Sequence, residues 1–120
     1  MSHIVTIATK VHDAAAISAA CRRLGLAEPV HGTAELYSGE ATGLIVQLPG
    51  WQYPVVIDTL TGAIRYDNFS GLWGEQAQLA HFLQMYAVEK AKLEARRKGC
   101  TCTEQPLANG NIKLQISERS

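Results

Sequence analysis

Surplus charge of either sign is missing from these 120 residues: eleven Lys and Arg balance eleven Asp and Glu. No global field draws such a chain to nucleic acid or to an anionic membrane surface, so neither is an expected partner. No apolar run approaches the ~20 residues of a spanning helix, which excludes a membrane anchor of that kind. Cysteine is scarce and odd in number, Cys21, Cys100 and Cys102. With no basic-then-apolar leader at Met1-Ser2-His3-Ile4, an odd count argues against a disulfide framework and for free thiols in a reducing cytoplasm. Complete chemical motifs are missing as well. Ser38-Gly39-Glu40 and Ser70-Gly71-Leu72 do not build the Gly-x-Ser-x-Gly of a nucleophile elbow. Gly71 and Gly74 precede a helix start, where an anion can bind, but lack the further glycine and lysine of a phosphate loop.

What the chain does carry is a globular balance, 47% apolar and 18% charged. That suffices for one domain over residues 1–120 with a core of its own. Its dominant element is a helix expected over residues 75–98. Leu79, Phe82, Leu83, Tyr86 and Ala87 recur at intervals of three and four and share a face. Gln78, His81, Glu89, Lys92 and Arg96 make the opposite, polar row, interrupted by Met85. Glu75 complements the positive end of the helix dipole; Arg96, Arg97 and Lys98 complement the negative end, and Gly99 supplies the C′ residue. A shorter helix follows Asp13 as N-cap, with Ile17, Ala20, Cys21 and Leu24 as its stripe and Gly25 as its C′ residue.

Strands are expected at residues 3–11, where β-branched residues alternate, then at 34–37, 43–48, 53–58 and 63–67, and finally at 100–105 and 112–116. Residues 26–33, with Pro29 and Gly32, read as a loop or a poor strand. Pro49-Gly50, residues 59–62 and Asn109-Gly110 supply the turns. The order is strand, helix, three- or four-stranded meander, long helix, terminal hairpin. It specifies an α+β fold, a ferredoxin-like two-layer sandwich with a mainly antiparallel sheet and two helices on one face. The similar helix endings, Cys21-Arg22-Arg23-Leu24-Gly25 and Ala95-Arg96-Arg97-Lys98-Gly99, suit a pseudo-two-fold βαβ repeat and equally suit cap chemistry shared by both helices.

Four of these features, taken together, carry a family resemblance. Met1-Ser2-His3 runs directly into Thr6-Ile7-Ala8-Thr9-Lys10; the first helix ends in Leu24-Gly25; the long helix contains Tyr86-Ala87 and ends at Lys98-Gly99; and Gly110-Asn111-Ile112-Lys113-Leu114 opens the last strand. In these respects the chain resembles the hypothetical chloroplast reading-frame thirty-five family, domain of unknown function twelve fifty-seven. Members of similar length occur in algal plastids, cyanobacteria and other bacteria. The resemblance implies a cytoplasmic or stromal protein with no established cofactor, and genomic neighbours of the family imply an AAA-type ATPase as a partner.

The candidate chemistry is thin. Cys100 and Cys102 share a strand face and are soft metal ligands, but a zinc or iron–sulfur site needs Cys21 and a histidine as well. The alternative is packing as small hydrophobes. His3, His12, His31 and His81 show no metal-site spacing, and His81 lies on the polar row of the long helix. Trp51, Tyr53, Phe69 and Trp73 flank the central strands: exposed they form a patch for a protein partner, buried they cap the core. Lys90, Lys92, Arg96, Arg97 and Lys98 gather charge at the end of the long helix, diluted by Glu89 and Glu94.

The expectation is an accessory or adaptor protein that binds another protein. Trp51, Tyr53, Trp73, Lys92 and Arg96 are its contact residues, and an exposed sheet edge allows a homodimer. The rival is a small-molecule or metal-binding enzyme or sensor, using the Cys100/Cys102 strand or the aromatic loop from Phe69 through Gly74. The sequence assigns no catalytic residue, cofactor or metal.

Overall fold

The computed structural model describes residues 4–118. His3, which belongs to the expected first strand, lies outside them, as do Met1, Ser2, Arg119 and Ser120. In chain order the elements are β1 (Val5–Ile7), α1 (Ala14–Arg23), β2 (Val30–Leu36), β3 (Gly39–Val46), β4 (Val55–Asp58), β5 (Ala63–Tyr66), α2 (Gln76–Arg97), β6 (Cys100–Pro106) and β7 (Ile112–Glu118). Strands β1-β5-β4-β3-β2 form an antiparallel sheet in that order, and both helices cover one face, the α+β two-layer sandwich expected from the element order.

Local chemistry sets the helix ends. The Asp13 carboxylate accepts hydrogen bonds from the amides of Ala15 and Ala16 at 3.0 and 3.3 Å, which satisfies two orphan donors of α1. The Tyr86 hydroxyl accepts from the Asp13 amide at 3.1 Å, tying that cap to α2. Between the layers, Ile17 and Cys21 of α1 and Leu79, Phe82 and Tyr86 of α2 meet Val46, Val55, Ile57, Ile64 and Tyr66 of the sheet. Full burial of a side chain such as Phe82 or Ile17 contributes roughly 1.5–3 kcal/mol. This stripe therefore fixes both helices.

The buried side of α2 is wider than one stripe. Met85 and Val88 are buried and Ala87 is exposed, against the assignment of Met85 to a polar row and Ala87 to the apolar one. The cause is the β6–β7 hairpin, which packs along a second side of the helix as a separate two-stranded sheet. Because β6 does not join the main sheet, the matching helix endings reflect cap chemistry and not a βαβ repeat. Other boundaries moved too: β3 starts at Gly39 and not at residue 43, because residues 39–42 pair with residues 33–36 of β2. The first strand stops at Ile7, where the chain leaves the sheet: the Thr9 hydroxyl and the Val11 amide both donate to the Gly62 carbonyl in the β4–β5 turn. Residues 30–33, read as a loop or poor strand, pair with residues 42–45 of β3 and complete a four-stranded meander.

Strand β3 also bends. Only its residues 44–46 pair with β4, whereas residues 39–45 pair with β2. At the junction stands Gly43, where a Cβ would lie 2.4 Å from the Ile57 carbonyl oxygen. With the backbone this close, the outer half of the β2–β3 hairpin leaves the sheet plane and curls across the face away from the helices. It buries Leu36 and Ala41 against Val56, with Ile4, Ala34, Ile45 and Tyr53 around them. Its tip arrives beside β1, the opposite edge of the sheet, and a Cβ on Gly39 would touch Ile4 at 3.4 Å.

Gly43→Ala is expected to lower stability by about 2–3 kcal/mol, because the methyl must displace backbone and not a mobile side chain. Gly32→Ala, opposite it in the ladder and 3.7 Å from the Ile45 side chain, should change stability by less than about 0.5 kcal/mol. Equilibrium urea unfolding of the two variants separates these outcomes.

Candidate functional site

The loop between β5 and α2 is built on two buried polar residues, Asp67 and Asn68. The Asp67 carboxylate accepts from the Phe69 amide and from the Ser38 hydroxyl, each at 3.3 Å, joining the loop to the hairpin tip. Asn68 Nδ2 donates to the Gly74 carbonyl at 3.1 Å and to Gln76 Oε1 at 3.0 Å, joining it to the first turn of α2. Between these anchors Phe69 and Ser70 take positive φ, 48° and 52°. For residues with a Cβ this left-handed region costs of order 1 kcal/mol each. The anchors on both sides hold it.

The strained turn places four rings together. Trp73 lies at the centre, with ring centroids 4.9 Å from Phe69, 5.0 Å from Tyr37 and 5.5 Å from Tyr53. The tilted arrangements are those that aromatic quadrupoles favour. This cluster is on the surface: Tyr37 is 63% exposed, and Leu72 beside Trp73 is 74% exposed. The adjacency of Tyr53 and Trp73 was expected. Tyr37 was not, because only the bend at Gly43 brings the hairpin tip here; an aromatic at a two-residue turn was its one sequence signal.

Trp51 requires a correction. It is buried, its indole N–H donates to the Glu75 carbonyl at 3.0 Å, and its ring meets Tyr66 edge-on at 5.6 Å. Gly74 is what admits it: a Cβ there would fall 2.4 Å from the indole. Trp51 supports the cluster from below and offers no contact surface.

Lys92 and Arg96 are not part of this surface. They sit 16 and 20 residues along α2 from Gln76, roughly 24 and 30 Å at the helical rise. Lys92 is already committed, since Glu104 of β6 takes a bond from Lys92 Nζ at 2.9 Å and two from Arg23 at 2.6 and 2.8 Å. Arg23 also reaches Glu89 at 3.3 Å. The four side chains join α1, α2 and β6, and the Arg23 and Lys92 hydrogen bonds hold the Glu104 carboxyl down at about 2. Arg96 is exposed.

The thiols divide in the same way. Cys21 is buried in the main core, where burial, then the Glu28 charge, pushes its thiol up to about 11. It is inert packing and does not join Cys100 and Cys102, which are half-buried on β6. Among the described residues no group of three or more His, Cys, Asp or Glu is placed to hold a metal ion. His12 Nδ1 contacts the Thr59 carbonyl at 2.9 Å, and His81 is exposed.

His31 lines a cavity of about 490 Å³ between the bent hairpin and the β4–β5 turn, with Glu40, Thr42, Asp58 and Arg65. Asp58 there is a turn brace: it accepts from the Leu60 amide at 3.0 Å, and that bond holds its carboxyl below the usual range. No helix among the described residues is long and apolar enough to cross a membrane. Comparison of the chain with protein-family models, with curated proteins and with solved structures found no match.

The depressed folded-state value of Glu104 fixes a pH dependence. Its stabilisation is complete above the ordinary Glu range near 4.5 and is lost as pH falls from there toward about 2. Glu104→Gln should cost about 1 kcal/mol at pH 7 and flatten the stability profile between pH ~5 and ~2. Thermal unfolding across that range is the measurement.

Proposed function

We propose that the protein is an accessory or adaptor module that docks another protein on the surface formed by Tyr37, Tyr53, Phe69, Leu72 and Trp73. The observation that supports this reading is the pair of left-handed residues, Phe69 and Ser70, which keep Phe69 and Trp73 stacked 4.9 Å apart beside an exposed Leu72. A loop with no binding duty has no reason to retain backbone strain while leaving apolar side chains in water. Rigid aromatic rings provide large contact area at small entropy loss, which suits a docking face. The cluster is uncharged at its surface, so the complementary segment of the partner is apolar or aromatic.

The family resemblance favours a cytoplasmic setting and makes an AAA-type ATPase the first partner to test. Self-association through the open edge of β2 is the competing use of the fold. Catalysis is not part of the proposal: the hydrogen-bonding groups nearest the rings, Asp67 and Asn68, are occupied in holding the loop.

The test is co-purification of the full chain from its native host, with partners quantified by mass spectrometry. Leu72→Asp and Trp73→Ala should each reduce the captured partner at least tenfold, whereas Lys92→Ala should leave it unchanged. Because Leu72 is 74% exposed, Leu72→Asp spares the fold. A partner retained at wild-type level by that variant overturns the proposal.

A further inference from the structure

Behind the β6–β7 hairpin lies a second cavity, about 210 Å³, lined by Lys92, Arg96, Cys100, Thr101 and Cys102. It is separate from the aromatic surface and has no part in the docking proposal. Its two thiols are two apart on β6, so they project from the same face with Cβ atoms ~6.7 Å apart along the strand. A disulfide requires ~3.8 Å between Cβ atoms, so the pair cannot oxidise to an internal disulfide without moving the strand. A single ion bound between the sulfurs has a longer reach. Two metal–thiolate bonds of ~2.3 Å in line place the sulfurs ~4.6 Å apart, a separation reached when the Cys100 thiol turns from the Lys98 carbonyl, to which it donates at 3.9 Å, toward Cys102.

The surroundings decide which ion. Glu104, next along the same face, is taken by Arg23 and Lys92. Glu118 faces Cys100 across the ladder but closes no three-ligand group among the described residues. Cys21 is buried in the core. Among the described residues two sulfurs are then the whole ligand set, too few for the four-coordinate preference of zinc or for an iron–sulfur cluster. Thiolates select soft ions, and a monovalent soft ion is satisfied by two of them in line. On binding, each thiol releases its proton to water, so two thiolates and one monovalent cation form a complex of net charge −1. Lys92 beside the cavity is paired with Glu104, which leaves Arg96 to complement that anion, although it would repel a free cation.

We propose that Cys100 and Cys102 form a two-coordinate copper(I) site whose anionic bis-thiolate complex is neutralised by Arg96. No redox step is involved, since copper enters and stays as the monovalent ion.

The test is anaerobic titration of the reduced full chain with copper(I) against the chromophoric chelator bicinchoninate. The expected result is one equivalent per chain, accompanied by near-ultraviolet sulfur-to-copper absorption. Cys100→Ser and Cys102→Ser should each abolish both signals, and Cys21→Ser should retain them. Arg96→Glu should weaken binding several-fold while leaving the stoichiometry at one. Circular dichroism verifies the fold of each variant. Copper binding that survives Cys102→Ser, a ratio of one ion to two chains, or zinc held through desalting with the same cysteine dependence overturns the assignment.

Discussion

The approach of β3 to the Ile57 carbonyl at Gly43 is the contact on which the rest of the molecule depends. An open five-stranded sheet with helices on one side leaves its other face wet. Here the chain covers part of that face with its own hairpin, and it can do so only where no side chain separates two backbones. The bend closes the second core around Leu36, Ala41 and Val56. It also delivers Tyr37 to Trp73 and Ser38 to Asp67. One missing methyl group thus connects a strand register to a surface ring cluster centred on Trp73, about a quarter of the chain away in sequence.

A different principle holds the C-terminal hairpin. It has too few buried apolar residues to stand alone, since a two-stranded ribbon is marginal by itself. Ile112 supplies some apolar contact with the main core, and Gln84 Nε2 donates to the Gly110 carbonyl at 2.9 Å. Charge adds to the cover that the hairpin gives Met85 and Val88. Glu104 receives Arg23 from one helix and Lys92 from the other, a geometry in which two charge-assisted bonds from one guanidinium give direction as well as attraction. The same arrangement removes Glu104 and Lys92 from ordinary surface chemistry, while Cys100, Cys102 and Arg96 line the cavity beside it. Attachment and availability are set by the same four charges.

The aromatic surface shows how local strain is maintained. Asp67 and Asn68 are buried beneath it, each bonded to a different neighbour, and Trp51 fills the space that Gly74 leaves open. With both ends of the turn clamped, Phe69 and Ser70 have no route back to ordinary backbone angles without breaking those bonds. Rigidity of this kind favours recognition, because little order remains to be lost when a partner arrives.

Much of this was legible in the residues. Spacing of three and four located both helices, Asp13 and the glycines at 25 and 99 located their ends, and alternation located most strands, because these signals act over a single turn or pleat. Trp51, Tyr53, Phe69 and Trp73 stood out as loop aromatics for the same reason, with an exposed and a buried reading open for each. Local patterns therefore located most of the elements, their order and the α+β layering. Tertiary structure alone decided that Trp51 lies inside while Tyr37 lies outside, that Met85 faces the protein because a hairpin covers it, and that Lys92 is spent on Glu104. Each of those outcomes depends on residues brought together across many positions of chain, by the seating of Trp51 on Gly74, by the bend at Gly43 or by the docking of β6, and no local pattern records such an encounter.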